Sequence, residues 1–275
     1  MGADSRSETR PRAAVVDGKL GGVDSSLTVA AVQAPCTPRD LVANGRSHAS
    51  AIKAAGVRLV VFPELSLTGY ELDASPLVTS DEVFAPIVDA CRAAGSVALV
   101  GAPMASEGGH RYIATLLISA AGVEVAYRKV WLGTEEATRF SPGGGVAAVN
   151  VDGWRIGLGI CKDTGNTEHV AQMADLGVDV YAAGLVHKCS ELSVQDERGE
   201  SIARRCGAFV IFASFAGATG EGYDLTAGSS TIWSPTGEEL ARAGAEPGGV
   251  ARASLHRSEL VRRRLPRRDT LTSGK

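Results

Sequence analysis

Several shortages in this 275-residue chain each remove a class of function. There are five cysteines, at positions 36, 91, 161, 189 and 206. No Cys-x-x-Cys pair occurs, which argues against a zinc site or a dithiol redox motif, and the wide gaps argue against a disulfide framework. The five histidines are scattered with no His-Glu-x-x-His among them, so no metal is expected. No apolar run approaches the ~18 residues that would suggest a membrane span, and the N-terminus lacks the apolar core of a signal peptide; the expectation is a cytoplasmic protein without a membrane association. Aromatic residues are only 5% of the chain, and the charge is unevenly spread. Residues 251–275 hold eight Lys/Arg against two acids, so of a net −3 the first 250 residues carry −9. An acidic body with few aromatic platforms does not suit nucleic acid. Lysine is scarce as well, with six in the whole chain, so a lysine at a strand end is not ordinary surface filler.

What is present is globular: 44% hydrophobic and 21% charged residues, enough for a sizeable core. Residues 1–26 are polar, aperiodic and Gly/Pro-bearing, and read as a disordered leader. From there strands and helices alternate. Strand-like runs at 27–33, 57–62 and 96–102 are separated by helical patterns at 38–55 and 81–94. Thr37 is a candidate cap for the first helix, and Gly56 and Gly95 are candidate stops. Two hairpins follow: 111–119 with 123–128 around Ala120-Ala121-Gly122, and 146–151 with 154–160 around Asp152-Gly153. Then come a helix at 167–176, a strand at 178–182, a helix at 191–206 and a strand at 208–214. A hairpin at 229–233 and 238–242 and a strand at 249–255 complete the body. The Arg-rich remainder, 257–275, reads as a C-terminal helix or tail. Helices interleaved with many strands imply an α/β fold of mixed sheets, and two sheets packed face to face with helices outside would bury every apolar run.

Three of the buried-looking strands end on reactive groups. Residues 57–62 lead into Pro63-Glu64, 123–128 into Lys129, and 154–160 into Cys161. Ligand sites in α/β proteins favour strand ends. A carboxylate, an ammonium and a thiol there are the components of nucleophilic acyl transfer: a base for the thiol proton, a cation for the oxyanion, and the nucleophile. Gly157-Leu158-Gly159 is too little for a nucleotide loop, because Lys162 stands where a third glycine would be.

VFPELSLTGY (61–70), YRKVWL (127–132) and GLGICKD (157–163) resemble, in order and spacing, the three signatures of the nitrilase superfamily of carbon–nitrogen hydrolases. EATRFSPG (136–143), FASFAGATG (212–220) and TAGSSTIWSPTGEELARAG (226–244) extend the resemblance over about residues 27–268. It implies a single α-β-β-α sandwich domain, 27–256, with a Glu-Lys-Cys triad and no cofactor. Carried over, Glu64 is the general base, Lys129 the oxyanion holder and Cys161 the nucleophile. Glu136 positions substrate or Lys129. After the nucleophile, nitrilases proper usually carry Trp-Glu and amidase-like branches Tyr-Asp. This chain has Lys162-Asp163, so Asp163 speaks for an amidase and Lys162 fits neither. Lys162 is read either as pointing away or as adding positive potential toward the thiol or an anionic substrate. The family's following Phe-Pro-Glu is replaced by Thr164-Gly165-Asn166-Thr167-Glu168. His187 and Cys189, in LVHKCSEL, are candidates for the pocket border. The reading is hydrolysis of a small linear amide, such as an N-carbamoyl compound or ω-amide. Nitrile hydrolysis, a non-catalytic binding protein and acyl transfer to a nucleophile other than water are the alternatives. The resemblance also implies a homodimer or higher homo-oligomer, with the Arg-rich C-terminal stretch reaching across the interface.

Overall fold

In the computed structural model the residues described are 14–16 and 26–260. The first half of the chain supplies β1 (Ala14–Val16), β2 (Ser26–Val32), α1 (Leu41–Ala55), β3 (Leu59–Val61), α2 (Ala85–Ala94), β4 (Val97–Ala105), β5 (Arg111–Ser119) and β6 (Gly122–Arg128). The second half supplies β7 (Ala147–Val151), β8 (Trp154–Ile160), α3 (Thr167–Leu176), β9 (Val180–Leu185), α4 (Leu192–Cys206), β10 (Phe209–Ser214), β11 (Thr231–Trp233), β12 (Glu239–Arg242) and β13 (Val250–His256).

These strands form two mixed sheets, ordered β13-β2-β3-β4-β5-β6 and β1-β7-β8-β9-β10-β11-β12. Strand alternation sorts the side chains into three apolar layers. Along β2, Leu27, Val29 and Ala31 face the second sheet, whereas Ala30 and Val32 face α1 and α2. Ile156, Leu158 and Ile160 of β8 meet them in the central layer. Tyr181 and Ala183 of β9, with Val210 and Phe212 of β10, pack outward on Val170 and Met173 of α3 and Ile202 and Ala203 of α4. The arrangement is the expected α-β-β-α sandwich in one domain, with each sheet covered on both faces.

Some boundaries differ from the sequence expectation for local reasons. The first helix begins at Leu41 and is capped by Asp40, whose carboxylate accepts the Ala43 N–H at 2.9 Å. Thr37 is not the cap: its own N–H is taken by the Asn44 side chain, and Arg39 at φ +62° turns the chain before the helix. The helix expected at 81–94 opens as a 3₁₀ turn, Glu82–Phe84, before α2 begins with Pro86 in its first turn. Gly56 and Gly95 are the stops, both left-handed. Within the stretch expected to be a disordered leader, Ala14–Val16 pair in parallel with β7, extending the second sheet by one strand. Their backbone pairs along the edge of β7. The remainder of that leader lies outside the described residues. At the other end, Arg257–Glu259 form a 3₁₀ turn in place of the start of a helix, and residues 261–275 lie outside the described residues.

Candidate active site

The three reactive strand ends converge at the seam between the two sheets. After β3, residues 63–65 turn sharply, with Leu65 at φ +49°. This turn is gripped from both sheets. A Cβ added to Gly101 of β4 would lie 2.4 Å from both Leu65 N and Pro63 O, and one added to Gly184 of β9 would lie 2.6 Å from Glu64 N. Only glycine lets both strands approach the turn this closely. Lys129 follows β6, held by its N–H to Ile113 O and by Gly143 N–H to its own carbonyl, each 2.8 Å. Cys161 opens the 3₁₀ turn Cys161–Gly165 directly after β8, at φ +38°. A left-handed cysteine is strained, and such strain concentrates at functional sites.

Side-chain geometry joins these elements. Lys129 Nζ donates to Glu64 Oε1 and to Glu136 Oε1, both at 2.7 Å, and all three residues are at most 2% exposed. Glu136 has the richer set of donors: the Tyr70 hydroxyl at 2.6 Å and the Gly133 N–H at 2.6 Å join Lys129. Glu64 Oε2, in contrast, is buried with no hydrogen-bond partner among the described residues. The two carboxylates are therefore driven apart. Burial alone would raise Glu136, but Lys129, Tyr70 and the Gly133 N–H bring it below the ordinary carboxylate value. Burial lifts Glu64 well above that value, opposed by Lys129 and reinforced by Cys161 and Glu136. Burial would lower Lys129, yet Glu64, Cys161 and Glu136 hold its ammonium above the usual value. The Cys161 thiol is pushed up by burial against the pull of Lys129, and donates to Val186 O at 3.3 Å. Paired acids separated in this way, one ionised and one basic, are the arrangement needed for proton transfer.

Asp163 fastens the Cys161–Gly165 turn to the segment carrying Lys129. Fully buried, it accepts from Ile160 N (2.8 Å), the Tyr127 hydroxyl (2.9 Å) and Trp131 N (3.1 Å). Burial raises its carboxyl to about 6, against the Lys129 charge and those donors. Lys162 is exposed and donates to Leu132 O at 2.8 Å, pinning the same two segments from outside. His187 lies beside Val186, buried, with Nδ1 on Gln195 Oε1 (3.3 Å) and Nε2 on the Arg198 guanidinium (3.4 Å). Both ring nitrogens are thus occupied by protein groups. Cys189 is exposed on a neighbouring 3₁₀ turn, while Cys91 and Cys206 are buried in α2 and α4. Cys36 packs on the central layer with its thiol pushed to about 12, chiefly by burial. Among the described residues no group of three or more His, Cys, Asp or Glu is placed to hold a metal ion, and no helix is long and apolar enough to cross a membrane.

Tyr70, Tyr127 and Arg198 were not singled out from sequence. Tyr70 and Tyr127 stand inside the two motifs that supply Glu64 and Lys129, so adjacency was their available signal. Arg198, on α4, had none.

Residues 28–264 match the carbon-nitrogen hydrolase family model. A Pseudomonas protegens protein named "Hydrolase in pqqF 5'region" is 31% identical over 244 residues, covering 84% of each chain. An "(R)-stereoselective amidase" of Pseudomonas sp is 26% identical over 209 residues, 72% of this chain and 73% of that protein. Among solved structures, Saccharomyces cerevisiae Nit3, a member of branch 10 of the nitrilase superfamily, superposes with a TM-score of 0.79 at 20% identity. That match covers 90% of this chain and 98% of Nit3.

Proposed function

The chain belongs to the carbon-nitrogen hydrolase family and is a hydrolase of carbon–nitrogen bonds, and from that premise we propose that it is an amidase cleaving small linear amides through a Cys161 thioester. The observation that carries this reading is the pair of unequal carboxylates on one buried lysine, with the free oxygen of Glu64 left in the neighbourhood of the thiol. Resemblance to the stereoselective amidase and Asp163 after Lys162 favour an amide over a nitrile.

The chemistry runs as follows. Glu64 Oε2 takes the Cys161 proton as sulfur bonds to the carbonyl carbon. The oxygen that becomes anionic is held by Lys129 Nζ and by a backbone N–H after Cys161, a preorganised pair of donors. The tetrahedral centre collapses, the C–N bond breaks, and Glu64 returns its proton to the departing nitrogen. Water then loses a proton to Glu64 as its oxygen attacks the thioester. The second collapse breaks the C–S bond, releases the acid, and gives the sulfur back its proton. Glu136, held ionised by Tyr70 and Gly133, keeps Lys129 charged and aimed. His187, with both ring nitrogens engaged, has no substrate role in this scheme.

The test is ammonia release from ω-amides, N-carbamoyl amino acids, simple amides and nitriles, with Cys161→Ala alongside. Release from an amide or ureido compound that the variant abolishes is the expected result. Release from nitriles alone would make the protein a nitrilase. Silence throughout with Cys161 inert to alkylation would make it a binding protein.

A further inference from the structure

The hydrogen bonds around His187 have only one consistent direction. Arg198 can only donate, so Nε2 of His187 must accept. The proton of the neutral ring then sits on Nδ1 and is given to Gln195 Oε1. This leaves the Gln195 amide NH₂ to donate to Gly228 O and Ser229 O, both at 3.3 Å. The chain of donors runs Arg198, His187, Gln195, then the backbone entering β11. Burial, with the Arg198 charge beside it, holds His187 below the usual imidazole value, so the ring stays neutral and able to accept.

This relay adjoins the carbonyl that accepts from the thiol. Val186, whose oxygen accepts from Cys161 Sγ, directly precedes His187, and the His187 carbonyl is itself fixed by Ala227 N–H at 2.8 Å. The Arg198 guanidinium also lies against the nucleophile turn: a Cβ on Gly165 would fall 2.7 Å from its Nη2. One side chain of α4 therefore touches both segments that hold the nucleophile, the turn Cys161–Gly165 and the strand exit at 186–187. No carboxylate among the described residues is within ion-pair distance of Arg198, unlike Arg242 on β12, which pairs with Asp196 and Glu239. Among the described residues its guanidinium therefore has no ion-pair partner.

We propose that Arg198 is a positioning residue for the nucleophile: it ties the Cys161 turn to the Val186–His187 segment through His187 and directs an unpaired positive charge toward the thiol. The inference rests on the reading of Cys161 as nucleophile. The charged and titratable groups that bear on the thiol are Lys129, Glu64 and Glu136 within the site, Tyr70 and Tyr223 beside it, and Arg198 from α4. Arg198 is the only one of these on a helix outside the reacting groups, so its removal leaves them in place.

The experiment follows alkylation of the Cys161 peptide by iodoacetamide against pH, by mass spectrometry, in the native chain, Arg198→Met and Arg198→Lys. Peptide resolution separates Cys161 from the exposed Cys189. The expected result for Arg198→Met is a rise of about half a pH unit in the midpoint, or about threefold slower labelling at fixed neutral pH. Arg198→Lys, which keeps the charge, recovers most of that shift. Superimposable profiles in all three chains would overturn the role of Arg198. A Met variant that fails to fold leaves the Lys variant as the test. A Lys midpoint more than about half a unit above native would then overturn the charge component. If Cys161 of the native chain is not labelled at any pH, it is the reading of the nucleophile that fails.

Discussion

Glu64 and Glu136 are the same residue type on the same lysine, yet their surroundings give them different chemistry. Glu136 has three donors and stays an anion; Glu64 has one donor and an idle oxygen. A Glu64→Gln substitution keeps the shape and can still accept from Lys129, but it cannot carry a proton. Its expected effect is a fall in kcat/KM of about 10²–10⁴, the usual worth of a general base. Steady-state rates on the best amide would measure it, and a rate within threefold of native would remove Glu64 from the proton path. At the same scale, Asp163 shows why a carboxylate two residues from Cys161 need not be a reactant: its partners are the backbone and hydroxyl groups that frame the turn.

At the scale of elements, the site depends on how closely secondary structures approach. The Glu64 turn is pressed between β4 of one sheet and β9 of the other, and α1 secures its far side. His48 of α1 bonds Ser66 at 2.9 Å, and Asn44, one helical turn earlier, donates to Leu67 O at 2.9 Å. Residues at i and i+4 share a helix face, so one face of α1 serves the loop twice. A Gly184→Ala change puts a methyl 2.6 Å from Glu64 N, where backbone, not a flexible tip, must yield. The expected outcome is a loss of about 1–3 kcal/mol of stability and about a hundredfold in kcat/KM, because misplacing a reacting group by an ångström costs that much. Gly244→Ala is the control. A Cβ there meets nothing within 4 Å, so denaturation should move by less than about 0.5 kcal/mol. Equal behaviour of the two variants would contradict the grip on the turn.

For the molecule as a whole, two buried histidines weigh against stability on the acid side. His48 and His169 are fully buried, and burial lowers each to about 4. Among the described residues His169 also has no hydrogen-bond partner on either nitrogen, and it is enclosed by Trp131, Tyr127 and Tyr181. The unfolded chain binds protons on these rings below about 6.5 while the folded chain does not. Their contribution is therefore complete above pH 6.5 and is lost as pH falls toward 4. Asp163, raised to about 6, acts in the opposite sense, since the folded carboxyl takes its proton first and gains stability as pH falls through 6. His169→Phe removes one of the destabilising groups and leaves the others. Between pH 7.5 and 5 it should lose about 2 kcal/mol less than the native chain, read from urea midpoints at the two values. Parallel losses in both chains would show that His169 takes up its proton as readily in the fold as in the unfolded chain.

The α-β-β-α fold and the Glu64, Lys129 and Cys161 set were legible in the sequence because both are written locally. Short continuous apolar runs, glycine stops and Asp152-Gly153 define elements from neighbouring residues alone, and three short motifs each place one reactive group at a strand end. The helix start at Asp40, the pairing of Ala14–Val16 with β7 and the engagement of His187 were not legible, since each depends on what another segment brings. The same holds for the partition of proton affinity between Glu64 and Glu136, and for the reach of Arg198 from α4 to two segments more than ten residues away. Sequence fixes which side chains are available. Only packing decides which of them are dry, which are partnered and which charge goes unneutralised, because desolvation and Coulomb forces act through space and not along the chain.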